Sequence, residues 1–211
     1  MTDILDQEGI DQLLLLLPSR SNESLKKWIK GLGDPLDEQS KNKAYELYDN
    51  GLLRDIEVGS TRGLQQIHSY IFGGLYDFAG KIRTRNIMKD NFVFCDARYL
   101  NSTLKKIDRM SEDSLKQIVD KYIEMNIAHP FMEGNGRATR IWFDQILKKN
   151  LKKCVDWSKI DKKDYLKAMK RSPLNSKAIY QLIESALTGK INDRQIFMKG
   201  IDYSYYYEEL D

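Results

Sequence analysis

Apolar residues recur at helical spacing along most of this chain. From Thr61 to Phe78, the residues Leu64, Ile67, Ile71, Leu75 and Phe78 fall three or four apart, which predicts one amphipathic helix ended by Gly80. Ser114–Ile127 keeps the same period through Ile118, Tyr122 and Met125. Ala138–Lys149 is apolar on several faces (Ile141, Trp142, Phe143, Ile146, Leu147), so a central, buried helix is expected there. Shorter helices are expected over Leu25–Lys30, Glu38–Asp49, Asp164–Met169 and Ser176–Leu187, with Asn50-Gly51 stopping the second. Strand signal is confined to Ile82–Cys95, where Arg83–Ile87 and Phe92–Phe94 flank Lys89-Asp90-Asn91, the outline of a short hairpin. The fold class expected is all-α with one small β-flap.

Composition narrows the picture without redirecting it. At 211 residues the chain has length for one domain with a sizeable core. Hydrophobic residues at 41% and charged residues at 31% read as soluble and globular. A net charge of +3 is too slight to suggest direct nucleic-acid binding. Lys148, Lys149, Lys152 and Lys153 read as a solvated helix end, with cations at the negative end of the dipole. The run Leu13–Leu17 is too short to span a bilayer and follows no basic leader, so neither a membrane anchor nor a signal peptide is expected. Cys95 and Cys154 lie far apart without metal-type spacing, as in a reduced cytoplasmic protein. Two histidines in all, His68 and His129, argue against a zinc hydrolase of the His-x-x-x-His type.

The chemistry gathers in AHPFMEGNGRATR, Ala128–Arg140, between two expected helices. Gly134 and Gly136 let backbone approach a ligand, and the free N–H groups of the following helix point at the same place. Arg137 and Arg140, three apart, share a helix face and can hold successive phosphates. Asn135 can donate from its amide. A carboxylate beside a phosphate site is repulsive unless it holds a divalent cation, which gives Glu133 a Mg²⁺ role. His129 is the natural general base, and Phe131 an anchor into the core. Together these residues suggest phosphoryl-type or nucleotidyl transfer to a hydroxyl. A lone histidine, two helix arginines or a Gly-Asn-Gly turn each has a bland structural reading. Seven such positions coincide by chance only on the order of 10⁻⁷ times in a chain this long.

His129–Arg140 matches, without a departure, the signature H-P-F-x-D/E-G-N-G-R-x-x-R of Fic-domain proteins, and the chain is identified as resembling that family. The stretch GLQQIHSYIFGGLYDFAGKIRTRNI resembles the family's helix and flap entry, and INDRQIFMKGIDYSYYYEE the end of its short, stand-alone bacterial members. The resemblance implies an N-terminal extension at 1–22, a Fic domain at 23–200 with its flap at about 84–96 and its active-site loop at 129–137, and an inhibitory helix at 201–211. It implies transfer of AMP from ATP to a protein hydroxyl, with pyrophosphate released. His129 would be the base, Glu133 the ligand of Mg²⁺ or Mn²⁺, and Asn135 an α-phosphate donor. Gly134 and Gly136 would line the anion hole, with Arg137 on the β-phosphate and Arg140 on the γ-phosphate. The flap, through Ile87, Lys89, Phe92 and Phe94, would hold the target as an added strand. Its sequence MKDNFVFC departs from the usual flap, which bears on target choice. His68 resembles a histidine often found on this helix and reads as structural.

The tail DYSYYYEELD resembles the inhibitory motif S/T-x-x-x-E-G/N, with Glu209 in place of the final residue. Ser204 and Glu208 share one face of a helix, and Glu208 would pair with Arg140 and deny it to ATP. Release by a partner or by dilution of a homo-oligomer is expected, and Tyr205, Tyr206 and Tyr207 become candidate auto-modification sites. The target would be another protein, with topoisomerases and GTPases both precedented in the family. Three alternatives stand beside this reading. Doc-like kinase chemistry is disfavoured by the Gly-Asn-Gly-Arg run, removal of AMP would use the same site, and a non-enzymatic nucleotide-binding module would have no need of His129.

Overall fold

A computed structural model describes residues 35–89 and 92–208, apart from the side chains of Pro35 and Glu208. The extension 1–22, the expected helix Leu25–Lys30, Asp90, Asn91 and residues 209–211 lie outside the described residues. The elements are α1 (Pro35–Asp49), α2 (Thr61–Phe72), β1 (Met88–Lys89), β2 (Phe92–Val93), α3 (Ala97–Asp108), α4 (Leu115–Ala128), α5 (Asn135–Leu151), β3 (Cys154–Val155), α6 (Lys162–Arg171), α7 (Lys177–Ala186), β4 (Leu187–Thr188) and α8 (Arg194–Glu208). The all-α expectation with a small hairpin is borne out. All contacts described below fall within the compact unit that begins at Ser40.

The helices start where side chains satisfy their first N–H groups. Ser60 Oγ accepts from Gly63 N–H at 3.1 Å to open α2, and Asp96 Oδ1 accepts from Arg98 N–H at 2.9 Å to open α3. Ser114 and Gln117 form a reciprocal capping box on α4. α5 carries the core, with Ala138, Ile141, Trp142, Phe143, Ile146 and Leu147 all buried, and it packs on α2, α4 and α8.

Four points differ from the sequence reading. The first arm of the hairpin is Met88–Lys89 and not Arg83–Ile87, since Arg83 N–H goes to the Pro130 carbonyl instead of a strand ladder. The helix from Thr61 stops at Phe72 instead of running to Phe78. Gly73 and Gly74 follow, Gly74 at φ 78°, and Leu75 and Tyr76 turn back to bond the Phe72 carbonyl. α3 was not foreseen. Its apolar stripe is only Leu100, Leu104 and Ile107 among polar residues, and its cap Asp96 directly follows the hairpin. A second antiparallel pair, Cys154↔Thr188 and Val155↔Leu187, also escapes sequence reading because each strand has two residues. Among the described residues no helix is long and apolar enough to cross a membrane.

Candidate active site

α4 ends at His129, which takes the left-handed conformation at φ 47°, ψ 65°. Its N–H donates to the Met125 carbonyl at 3.0 Å, and its ring Nδ1 lies 3.2 Å from the Asn126 carbonyl. A carbonyl can only accept, so Nδ1 carries a proton, and Nε2 is the nitrogen that holds the lone pair whenever the ring is neutral. The Phe94 ring stacks on the imidazole, with centroids 3.7 Å apart and planes at 17°.

The loop after His129 folds on itself. Asn135 Oδ1 accepts from Phe131 N–H and its Nδ2 donates to Phe131 O, both at 2.8 Å. Phe131 is fully buried and stacks on His68 at 3.8 Å. His68 Nδ1 accepts from Gly80 N–H at 2.9 Å, so its proton is on Nε2, which donates to the Glu133 carbonyl at 2.8 Å. Burial drives the His68 pKa down to about 4, so the ring stays neutral and structural. Gly134 caps α5 at φ 74°, where a Cβ would meet the Phe72 ring at 2.3 Å. Gly136 follows as the second residue of α5, half-buried. Glu133, its side chain 55% exposed, accepts from Gly134 N–H at 2.8 Å and Arg137 Nη2 at 3.0 Å. A carboxylate thus occupies the positive end of α5, as an anionic ligand would.

Both arginines are buried, against the usual fate of arginines on a helix face. The Arg137 guanidinium lies 4.9 Å from the Phe72 ring and 5.0 Å from the Tyr205 ring. Arg140 sits among Trp157, Tyr165 and Tyr207 at 5.9, 5.3 and 5.0 Å and donates to Ser204 Oγ at 3.0 Å. α8 therefore brings Ser204, Tyr205 and Tyr207 onto the two arginines, while the Glu208 side chain lies outside the described residues. Tyr207 is buried and donates to Ile160 O at 2.6 Å. Tyr205 is buried and donates to Ser40 Oγ at 2.7 Å, whereas Tyr206 is 47% exposed.

In the flap, Met88 pairs with Val93 and Lys89 with Phe92, and Phe94 N–H reaches the Ile87 carbonyl at 3.4 Å. Alternation puts Ile87, Lys89, Phe92 and Phe94 on one face of the ribbon, the face that meets His129 through Phe94. The other face carries Met88 and Val93, 63% and 69% exposed. Sequence reading missed Arg83. It is buried and donates Nε–H to His129 O at 2.7 Å, Nη1 to Arg85 O at 2.7 Å, and Nη2 to Cys95 O at 2.5 Å and Ala128 O at 3.0 Å. Nothing local separates it from Arg85, two residues on and exposed.

The Fic/DOC family model matches residues 59–147. The chain is 29% identical over 171 residues to the protein adenylyltransferase VbhT of Bartonella schoenbuchensis, covering 71% of this chain and 36% of that protein. It is 29% identical over 125 residues to a probable protein adenylyltransferase Fic of Salmonella typhimurium, covering 51% of this chain and 62% of that one. The chain thus spans less than two thirds of the length of these curated relatives. Among solved structures it resembles the BepC protein of Bartonella tribocorum with bound AMPPNP, with a TM-score of 0.62 at 20% identity over 74% of this chain and 88% of that one, a likeness of fold. Residues 59–147 are a Fic domain, the part of this chain that the Fic/DOC family model describes.

Proposed function

We propose that this chain transfers AMP from ATP to a Ser, Thr or Tyr hydroxyl of a target protein. The observation that carries this reading is the Nδ1–H of His129 held on the Asn126 carbonyl, which leaves Nε2 as the basic nitrogen, in the same loop as a helix N-terminus backed by two buried guanidiniums. The names of the relatives support it. Nε2 takes the hydroxyl proton as the oxygen attacks the α-phosphorus. The bond from that phosphorus to the bridging oxygen breaks, and pyrophosphate leaves with the electron pair. Arg137 and Arg140 hold the departing phosphates, and Asn135 shapes the nest through Phe131. Glu133 is a single half-exposed carboxylate, which fits Mg²⁺ or Mn²⁺ arriving on ATP, since Mg²⁺ commonly takes one or two carboxylates plus phosphate oxygens. When bound, the ion neutralises phosphate charge. The inner flap face, Ile87 to Phe94, presents the target segment to His129.

α8 acts as a brake in this reading, because Ser204, Tyr205 and Tyr207 use the guanidiniums that ATP needs. Of the three tyrosines, Tyr206 is the exposed one and the first candidate for self-modification. Free Cys95 and Cys154 suit a reducing, cytoplasmic setting. The test is label transfer from α- and γ-labelled ATP into a bacterial lysate with wild type, Glu208→Gly and His129→Ala. Transfer of the α-label alone, raised in Glu208→Gly and lost in His129→Ala, is expected. Transfer of the γ-label would make the chain a kinase, and no transfer even from Glu208→Gly would remove the adenylyltransferase reading.

A further inference from the structure

An α-helix leaves its last four carbonyls without intrahelical donors. In α4 these belong to Met125, Asn126, Ile127 and Ala128, and every one is met. His129 N–H serves Met125 and His129 Nδ1 serves Asn126, while Cys95 N–H serves Ile127 at 3.0 Å and Arg83 Nη2 serves Ala128 at 3.0 Å. The base supplies two donors and the flap segment supplies two. Arg83 joins these groups, because its guanidinium also bonds the His129 carbonyl and the carbonyls of Arg85 and Cys95, one on each arm of the flap. Its own N–H donates to the Pro130 carbonyl at 2.8 Å. A cation also suits the negative end of the α4 dipole.

We infer that Arg83 is a positioning residue for His129: by tying both arms of the flap to the end of α4, it holds the imidazole in its Nδ1–H tautomer and sets the flap over it. The planar fork is essential. Four of five N–H donors go to four carbonyls in different directions, which the three donors of a lysine ammonium, radiating from one point, cannot reproduce. Without the tie, the His129 backbone is free to leave its left-handed conformation, and Nδ1 leaves the Asn126 carbonyl with it.

The inference rests on the transferase reading for its kinetic consequence only, so a spectroscopic readout accompanies it. The chain has two histidines, and the structure gives them opposite tautomers, Nδ1–H in His129 and Nε2–H in His68. Imidazole ¹⁵N NMR of the full chain at alkaline pH distinguishes the two forms. In Arg83→Lys and Arg83→Ala, His129 is expected to shift toward the Nε2–H form while His68 stays as it is, which shows the loop still folded. The rate of α-label transfer is expected to fall about a hundredfold in Arg83→Ala, as for a misplacement of roughly 1 Å, with the KM for ATP unchanged within about twofold. If Arg83→Ala does not fold, Arg83→Lys alone carries the test. An unchanged His129 spectrum in the folded variants, or full activity in Arg83→Lys, overturns the inference. If wild type transfers no label but the His129 shift occurs, the inference stands and the transferase reading falls.

Discussion

Gly134 shows how much one residue can decide in this site. Its φ of 74° favours glycine, and the space a Cβ would need is filled by Phe72. Gly134→Ala is expected to cost about 1–3 kcal/mol from the backbone conformation, more from the collision, and to weaken ATP binding as the first turn of α5 shifts. Urea unfolding and calorimetric titration with ATP check the two effects, and wild-type affinity in the variant would show that the nest does not depend on this turn. Gly134 was legible in the sequence because its motif is contiguous. Arg83 was not, since burial separates it from Arg85 and burial is invisible two residues apart in an extended segment.

α8 illustrates what an element adds to its residues. Arg194 pairs with Asp49 at 2.7 Å, Tyr48 meets Phe197 in a tilted ring contact at 4.9 Å and Lys41 pairs with Asp202 at 2.8 Å, so the helix lies along the Ser40–Asp49 part of α1 before reaching the arginines. Those surface ion pairs add little, and the buried tyrosines carry most of the hold. For α8 to act as the proposed brake on 99% of molecules needs only about 2.7 kcal/mol. Removing a buried aromatic ring costs about 3–5 kcal/mol. Tyr207→Ala is therefore expected to release α8, raising α-label transfer by up to about a hundredfold and exposing the segment 194–208 to proteases. A fall in transfer would mean that Tyr207 supports the site more than it closes it. Periodicity and caps made most helices readable, including α4 and α5. α2 ran too long on paper because Leu75 and Phe78 keep the period after the backbone has turned at Gly73-Gly74.

At the scale of the whole molecule, buried His68 and half-buried Asp144 oppose each other in acid. Burial lowers the His68 pKa from 6.5 to about 4, so between those values the unfolded chain binds the proton first and stability falls as pH falls. Burial raises the Asp144 pKa from 3.8 to about 6, against the pull of Lys148 and of hydrogen bonds from Val155 N–H and Trp157 Nε1–H. There the folded chain binds the proton first, and stability rises as pH falls. Each contributes about 3 kcal/mol in nearly the same window, so the two largely cancel. Relative to wild type, His68→Gln is expected to gain stability between pH 7 and pH 4.5, and Asp144→Asn to lose it. Urea unfolding at both pH values reads this, and two variants that track wild type would refute it.

The motif Ala128–Arg140, the helical period of α4 and α5, and the presence of one hairpin between Ile82 and Cys95 were determined by the sequence alone. Each depends on neighbours within a few positions, where residue type and spacing already state the geometry. Tertiary structure decided that both arginines would be buried under α8, that His68 and His129 would hold opposite tautomers, and that Arg83 would join the flap to the end of α4. Apart from the Nδ1–H of His129, which Asn126 fixes locally, those outcomes depend on partners distant in the chain, such as Cys95 for Arg83, Glu133 for His68 and Tyr205 for Arg137. A side chain's role there follows from which carbonyls and rings surround it, and only packing brings those together.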